Sequence, residues 1–228
     1  MTGKGHRVED IQMEGPPSQA GGIALGDFAV ALRNLVINAD TAFAVGKNSL
    51  VRENVVGASG HAVLAGENAI IDSNTFDGGG AQASIKAGHG SIVTGNIAGG
   101  NDGGIDAGSF CLVRENTVRN TGDFGIGAGE GSVVSGNRVN QVGHGPGVSA
   151  GIGVAVIGNA ISHCGEGVLT NNGSSVSDNA VTNCTGLGLH LAANAGYDHN
   201  VLVGNNGGGV QVSGGVQTDK NICGSGLC

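Results

Sequence analysis

Short runs of apolar residues alternate with polar positions along the whole chain, and the same order returns about every 20 residues. An asparagine marks each repeat, and the intervals between successive asparagines are 20, 20, 22, 20, 21, 22, 20, 21 and 21 residues. The ten asparagines are Asn34, Asn54, Asn74, Asn96, Asn116, Asn137, Asn159, Asn179, Asn200 and Asn221. Such self-similarity indicates a solenoid, in which each repeat buries its apolar side chains against its neighbours.

Apolar side chains occupy fixed offsets from the asparagine and predict the strands of each repeat. The position three before it is aliphatic from Val51 to Val176. The position eleven before the asparagine is apolar in every repeat through to Val210. The position nine before it is also small or apolar in most repeats, and one variable residue lies between the two. This period of two is typical of a β-strand. A glycine then follows in most repeats, as at Gly66 and Gly88, and predicts a turn with positive φ.

No segment shows helical periodicity, and 20–22 residues is the length of one coil of a β-helix. We therefore predict an all-β fold, a right-handed parallel β-helix (solenoid) of about 10–11 coils with an asparagine ladder. Residues 23–222 form this helix, residues 1–22 form an atypical N-terminal coil or a truncated start, and residues 223–228 form a tail bracketed by cysteines.

The asparagine column predicts a structural role. Coils of a β-helix stack at about 4.8 Å, so that buried amides in one column hydrogen-bond from coil to coil. The other interpretation is that asparagine tolerates the left-handed backbone of a turn, and the two interpretations are compatible. A weaker eleventh repeat begins near Glu9, and in it Asp10 replaces the asparagine.

The segment Gly-Ser-Val-Val-Ser-Gly-Asn-Arg-Val at residues 131–139, followed by a glycine-rich second strand, shows the repeat clearly. This pattern resembles the parallel β-helix repeats of the pectate-lyase-like superfamily, and the likeness extends from about Gly21 to Asn221. The resemblance implies the fold. It leaves the activity open, because that superfamily includes polysaccharide lyases, glycoside hydrolases, uronate epimerases, tailspikes and adhesins.

The catalytic motifs of that superfamily are incomplete here. Gly-His-Gly, an element of galacturonan hydrolases, stands at residues 88–90 and 143–145. Their Asp-Asp, Asn-Thr-Asp and Arg-Ile-Lys elements are missing, and with them the carboxylates that act as acid and base. The Asp-Pro-His motif of mannuronan epimerases is missing too, and no three acidic residues fall in neighbouring outward columns as in a calcium site. We expect neither a metal nor a cofactor.

One polar patch is the best candidate site. Lys86 and Asp106 stand ten before the asparagine on neighbouring coils, where a base and its orienting partner would lie side by side. Glu67 and His89 stand seven before it, in a column whose charges alternate in sign. The patch Glu67, Lys86, His89 and Asp106 is a hypothetical groove for a sugar or a cation. The alternative is a solvated surface with an exposed ion pair.

A second candidate surface is the column four residues before the asparagine. The column three before fills the core, so by alternation its neighbour points outward. Its members are Leu50, Ile70, Ile92, Leu112 and Val133, followed by Ala155, Ser175, Gly196 and Gln217. An exposed apolar strip of this kind is typical of an interface with a partner chain. The alternatives are simple β-propensity and a bulge that turns both columns inward.

The five cysteines form no zinc-binding Cys-x-x-Cys pattern. Cys164 and Cys184 stand five after their asparagines on neighbouring coils, which suits either a disulfide or a buried pair of thiols. Cys223 and Cys228 bracket the last turn and are a candidate disulfide in an exported protein. Cys111 shares a small inward column with serines and is expected to be free and buried.

Composition narrows the functional classes. Glycine accounts for 47 of 228 residues and aromatic residues for 3%, which suits a thin core of many small layers. The net charge of −8 disfavours nucleic acid as a partner. No apolar run is long enough to span a membrane. No signal peptide is visible in this chain, and we expect an extracellular or periplasmic protein.

Two functions remain open. The first is a non-catalytic scaffold that presents an extended surface to polysaccharide or to a partner chain, and the missing catalytic motifs and short turns favour it. The second is an enzyme that processes polysaccharide, as a lyase, a glycoside hydrolase or a uronate epimerase. Nothing in residues 1–22 resembles a capping helix, so we also expect a homo-oligomer or further β-helix sequence at the N-terminal end.

Overall fold

The computed structural model describes residues 5–15, 21–224 and 226–228. These residues wind into a right-handed parallel β-helix, which confirms the predicted fold. Each coil contributes one short strand to each of three sheets, named sheets A, B and C in the order in which the chain visits them. Equivalent strands pair in parallel, because each repeat returns the backbone to the same place one strand spacing further along.

Sheet A has 11 strands: Arg7–Glu9, Val30–Leu32, Leu50–Arg52, Ile70–Asp72, Ile92–Thr94, Leu112–Arg114, Val133–Ser135, Ala155–Ile157, Ser175–Ser177, Gly196–Asp198 and Val216–Gln217. Sheet B has 12 strands: Gln12–Glu14, Leu35–Ile37, Val55–Gly57, Thr75–Asp77, Ile97–Gly99, Thr117–Thr121, Arg138–Val142, Ala160–Ser162, Ala180–Thr182, Val201–Val203, Ile222–Cys223 and Gly226–Leu227. Sheet C has 10 strands: Ile23–Leu25, Thr41–Val45, His61–Ala65, Ala83–Ala87, Gly103–Ala107, Phe124–Ala128, Pro146–Ala150, Glu166–Thr170, Leu189–His190 and Val212–Ser213. Coils are numbered by their sheet A strand, so that coil 1 begins at Arg7, coil 5 at Ile92 and coil 11 at Val216.

The core is a stack of thin apolar layers between the three sheets. In sheet A the middle residue of each strand points inward, and Val51, Ile71 and Val113 have no exposed surface. Sheet B contributes Phe76 and Leu202 to the same interior. Because each layer is narrow and closely stacked on the next, aliphatic side chains of small and medium size fill most of it, and Phe43 and Phe76 are the largest side chains fully buried there.

The repeat asparagines form one continuous row of hydrogen bonds inside the corner between sheets A and B. At Asn116 the backbone N–H and the side-chain amide both donate to the side-chain oxygen of Asn137, over 2.9 and 3.0 Å. The same amide also donates to the carbonyl oxygens of Val93 and Arg114, over 2.9 Å in each case. The asparagine therefore satisfies buried polar groups that a sharp corner leaves without sheet partners.

The left-handed residue of this corner is the one before the asparagine at every ladder position from Asn34 to Asn200. Glu53, Glu115 and Asp178 have φ values of 55°, 56° and 58°, whereas none of the ten ladder asparagines has a positive φ. The interpretation that asparagine serves a left-handed backbone is therefore wrong. The corner uses the hydrogen-bonding capacity of the side chain instead.

The glycines that follow the sheet C strands differ from the prediction as well. Gly66 and Gly88 have no positive φ, and the left-handed residues lie two positions later, at Asn68 and Gly90. A Cβ atom on Gly88 would lie 2.6 Å from the carbonyl carbon of Gly66 on the preceding coil. The predicted positive φ is wrong, because the close approach of stacked backbones is what excludes a side chain here.

A shorter row of polar side chains lies inside the corner between sheets C and A. The Ser91 hydroxyl accepts a hydrogen bond from the backbone N–H of Ala69 over 3.1 Å, and Ser132 accepts one from Cys111 over 3.0 Å. The Cys111 thiol occupies the equivalent place on its own coil and donates to the carbonyl of Gly88 over 3.3 Å. Cys111 is buried and free, as the shared column predicts.

The first coil pairs in register with the second, and the register corrects one assignment. It places Ile11, not Asp10, beside Asn34. The backbone N–H of Ile11 donates to the Asn34 side-chain oxygen over 3.0 Å. Asp10 is the left-handed corner residue, with a φ of 55°, and its carboxylate lies 2.9 Å from the guanidinium of Arg33. The prediction of Asp10 as a ladder residue is therefore wrong by one position.

Coil 10, which begins at Gly196, departs from the repeat. A 3-10 helix, Asn205–Gly208, extends the turn after sheet B, and Val212 then pairs beside Leu189. The extended turn shifts the strand by two residues, so that Val210 is 66% exposed and its predicted inward position is wrong. In the described part of the chain no helix is long and apolar enough to cross a membrane.

Two disulfides stabilise the C-terminal half. Cys164 and Cys184 join neighbouring coils, with their Cα atoms 4.5 Å apart. Cys223 and Cys228 are also joined, across a Cα separation of 4.9 Å, and this is the candidate pairing from the sequence. The strand Gly226–Leu227 folds back antiparallel onto Ile222–Cys223. The hairpin thereby covers a strand of sheet B that would otherwise be an open edge.

Candidate functional site

Lys86 and Asp106, two members of the polar patch predicted around His89, lie side by side on the outward face of sheet C. They align in register on neighbouring strands, and the Lys86 amino nitrogen lies 3.8 Å from a carboxylate oxygen of Asp106. The two side chains are 56% and 45% exposed. Water competes for both charges at that exposure, so the arrangement has the character of a surface ion pair.

The other two members of the patch make contacts of their own. Glu67 accepts a hydrogen bond from the Lys47 amino group over 2.8 Å. This hydrogen bond, the attraction to the Lys47 charge and a smaller attraction to His89 lower the pKa of Glu67. The His89 ring packs edge-on against Phe110, with ring centroids 5.1 Å apart. The four predicted side chains are thus engaged in three separate contacts.

A histidine–glutamate pair on sheet C was not singled out by the sequence analysis. His190 Nδ1 lies 2.9 Å from Glu166 Oε1, and both side chains are partly exposed. When Nδ1 donates to the carboxylate, Nε2 is left to exchange a proton with a ligand. The two residues are 24 positions apart in the sequence. Their positions relative to the repeat asparagines place both on the outward face of one sheet on adjacent coils, and this placement could have predicted the pair.

A shallow cleft of about 370 Å³ adjoins Glu166. Its lining consists of His144, Gly145, Pro146, Gly165, Glu166, Thr185 and Gly186. A Cβ atom on Gly165 would lie 2.0 Å from the carbonyl oxygen of His144, so the wall of the cleft is partly bare backbone. Within the described residues, no three His, Cys, Asp or Glu side chains are placed to hold a metal ion.

The outward face of sheet A carries an aliphatic column over seven consecutive coils. The aliphatic column consists of Val30, Leu50, Ile70, Ile92, Leu112, Val133 and Ala155. All seven retain exposed surface, and Ile70 is 43% exposed, whereas the inward neighbours Ile71 and Val93 are fully buried. The predicted alternation is confirmed, and the alternative in which both columns point inward is wrong.

A second outward column, here called the mixed column, runs beside the first. It is made of the third residue of each sheet A strand: Leu32, Arg52, Asp72, Thr94, Arg114, Ser135 and Ile157 over coils 2 to 8. Within one chain the Arg52 guanidinium lies 2.9 Å from the carboxylate of Asp72. Arg114 forms no such pair among the described residues. The outward face of sheet A therefore combines an apolar strip with a few separated charges.

Comparison with known proteins identifies the family. The profile of the family described as right handed beta helix region matches residues 7–155. No curated protein sequence shows significant similarity to the chain.

Two solved structures are similar in fold. The A-module of the mannuronan C-5 epimerase AlgE6 from Azotobacter vinelandii has a TM-score of 0.45 at 14% identity, over 90% of this chain and 67% of that one. HetL, a pentapeptide repeat protein involved in heterocyst differentiation regulation from the cyanobacterium Nostoc sp. strain PCC 7120, has a TM-score of 0.37 at 10% identity, over 98% of this chain and 91% of that one. Because the family profile covers well over half of the 228 residues, the chain belongs to the right-handed β-helix family.

Proposed function

We propose that this protein is a non-catalytic β-helix scaffold that presents the outward face of sheet A to a partner chain, and that the partner is a second copy of itself. The observation that carries the proposal is the symmetry of the two outward columns about coil 5. A face that is symmetric about its own centre matches itself when a two-fold axis passes through that centre, which is the arrangement of most homodimers.

The aliphatic column is symmetric in this sense. It occupies coils 2 to 8 and is bounded by Arg7 on coil 1 and Ser175 on coil 9. A two-fold axis along the strand Ile92–Thr94 reverses the order of the coils, so that coil 4 faces coil 6 of the second copy. The facing pairs are then Ile70 with Leu112, Leu50 with Val133, and Val30 with Ala155.

The mixed column is complementary about the same axis at two of its three facing pairs, and in the third Arg52 faces Ser135. Asp72 on coil 4 lies opposite Arg114 on coil 6 of the second copy, and the symmetry produces this ion pair twice. Leu32 lies opposite Ile157, which joins two apolar side chains. Charge complementarity of this kind fixes the register of an interface and raises the association rate.

The dimensions suit two packed sheets. Six coil spacings give the aliphatic column a length of about 29 Å. Two flat sheet faces pack about 10 Å apart, and their outward side chains then interdigitate and are removed from contact with water. Because an isologous contact uses the same face on both copies, it closes at the dimer and leaves sheets B and C free for other ligands.

The test is the sedimentation behaviour of a double variant. Ile70→Lys with Ile92→Lys places four charges in the centre of the dimer and should convert it to a folded monomer. The matched control is Val55→Lys with Ile97→Lys, which adds the same charge to outward positions of sheet B. A wild-type protein that sediments as a monomer at high concentration, or a control that dissociates equally, contradicts the proposal.

A second candidate function rests on the Glu166–His190 pair beside the cleft. Glu166 lines the cleft, and the histidine hydrogen-bonded to it is a group that can move a proton, as processing of a polysaccharide requires. The experiment is a product screen on uronic-acid polymers with the wild type and with His190→Ala. Turnover by the wild type that the variant lacks favours the enzyme over the scaffold, and absence of turnover in both leaves the scaffold as the function.

A further inference from the structure

Four polar side chains stand together on the outward face of sheet B in coils 6 and 7. Thr117 aligns with Arg138, and Arg119 aligns with Asn140, on neighbouring strands. These four residues, here called the donor cluster, form a two-by-two square, because alternate residues of a strand share a face. The diagonal between Arg119 and Arg138 measures about 7–8 Å, within reach of two long side chains.

The two arginines of the donor cluster are unpaired. Arg119 and Arg138 form no ion pair and no side-chain hydrogen bond within the described residues, and both are exposed. The cations that do pair with carboxylates are Arg7, Arg33, Lys47, Arg52 and Lys86. The other described cations without a pair, Arg114 and Lys220, lie on sheet A and in the last coil. On a chain of net charge −8, two neighbouring guanidiniums without a carboxylate are an exception.

The amide of Asn140 adds further donors to the cluster. Its oxygen accepts a hydrogen bond from the Ser162 hydroxyl over 2.9 Å, which leaves the two N–H groups of the amide for a ligand. The Thr117 hydroxyl can also donate. Every member of the square can therefore donate a hydrogen bond through an N–H or O–H group, and none of the four can only accept one.

The surroundings leave this square open. On the flanking coils the outward positions of sheet B are Ile97 and Gly99 on one side and Ala160 and Ser162 on the other, without a carboxylate. A Cβ atom on Gly99 would lie 2.4 Å from the carbonyl oxygen of Arg119 and 3.2 Å from its Cγ, so the close approach of the Arg119 backbone, together with its side-chain stem, requires glycine here. The two strands that carry the square, Thr117–Thr121 and Arg138–Val142, have five residues each, whereas their neighbours in sheet B have three.

We propose that the donor cluster is a binding site for an oxyanion, that is, a carboxylate, sulfate or phosphate group of a ligand. Guanidinium groups form paired hydrogen bonds to such groups, and these charge-assisted bonds are stronger than neutral ones. An oxyanion would accept from both arginines and from the Asn140 amide, and it would relieve the repulsion between the two guanidiniums. The site lies on sheet B, so it does not depend on the contact proposed for sheet A.

Binding is measured by isothermal titration at low ionic strength with three probes: dextran sulfate, neutral dextran and inorganic sulfate. We expect saturable binding of dextran sulfate and none of dextran. Inorganic sulfate that saturates the same site indicates a small anion as the ligand, and binding of the polymer alone indicates a polyanion. A wild-type protein that binds neither sulfate probe overturns the proposal.

Variants separate the site from general electrostatics. Arg119→Gln with Arg138→Gln should weaken binding about tenfold or more, because the charged donors are lost. The control, Arg33→Gln with Lys47→Gln, removes the same charge from two cations that are already paired and lie outside both proposed surfaces, and it should change the affinity little. Equal losses in both double variants assign the binding to net charge and overturn the site. All four side chains are exposed, so the melting temperature should stay near that of the wild type in each case.

Discussion

The side-chain amide of Asn116 donates a hydrogen bond to the side-chain oxygen of Asn137 on the next coil, over 3.0 Å. Asn137 repeats the same contact to Asn159 over 3.0 Å, and so on along the solenoid. Each interior asparagine thus serves its own corner and the corner before it. This coupling keeps successive corners aligned, and aligned corners are what make the outward columns of sheets A and B straight.

Removing one interior asparagine should be costly. Asn116→Ala or Asn137→Ala deprives buried backbone carbonyls of a donor and leaves the preceding asparagine without its acceptor. We expect each variant to lose about 1–3 kcal/mol of unfolding free energy, measured by chemical denaturation. Asn221→Ala should cost less, because among the described residues the Asn221 amide donates to the carbonyl of Asp219 alone. Equal losses in all three variants would contradict a cooperative ladder.

The proposed dimer predicts a charge reversal that can be rescued. Arg114→Asp places two carboxylates opposite each other at both symmetric positions, and it should raise the dimer dissociation constant about tenfold. Combining it with Asp72→Arg restores opposite charges and should restore the affinity. The control is Arg138→Asp, which makes the same change of charge on sheet B. A double variant no tighter than the single one would argue against a two-fold axis at coil 5.

Phe28 is a strained corner residue, and relieving the strain should stabilise the protein. Its φ is 58° and it is 53% exposed, whereas the equivalent residue one coil later is Asn48, with a φ of 55°. Bulky side chains rarely adopt this conformation, and asparagine tolerates it. Phe28→Asn should therefore raise the unfolding free energy by about 1 kcal/mol. Asn48→Phe should lower it by a similar amount, and stabilisation by both substitutions would refute the explanation.

The cysteines predict a specific pattern of alkylation. Burial raises the pKa of the Cys111 thiol, so little thiolate is present at neutral pH and the native protein should react slowly or not at all. After unfolding without reductant one thiol should react, and after reduction all five. Mass spectrometry of the alkylated protein counts them. Five reactive thiols before reduction would contradict the expected extracellular or periplasmic location.

Cys111→Ser offers an independent check on the row of hydroxyl groups beside sheet A. Serine occupies the equivalent position at Ser91 and Ser132, where its hydroxyl accepts a backbone N–H of the preceding coil. The variant should therefore fold with a melting temperature close to that of the wild type. A large loss of stability would show that this position depends on the thiol and not on a small polar group.

The sequence by itself determined the fold, the coil length and the inward columns of the regular coils. In a parallel, in-register stack each residue lies next to the equivalent residue of the neighbouring coil. Each column must therefore consist of residue types that pack well against their own kind. Aliphatic residues satisfy that requirement in the core, as at Val51 and Val113, and asparagine satisfies it at the corner between sheets A and B. This requirement acts on every repeat in the same way, so it can be seen in the periodicity of the sequence alone.

Only the tertiary structure decided the ends, the glycine turns, and the sites at Glu166–His190 and at Arg119 and Arg138. The register that places Ile11 beside Asn34 follows from the pairing of the strands of coil 1 with those of coil 2, and it leaves Asp10 at the left-handed corner beside Arg33. The Glu166–His190 pair and the unpaired Arg119 and Arg138 depend on which long side chains reach a neighbouring coil and which find no carboxylate there. Offsets along the chain show which side chains lie on neighbouring coils, as with Lys86 and Asp106, whereas contact across a spacing of about 4.8 Å also depends on the conformation of each long side chain.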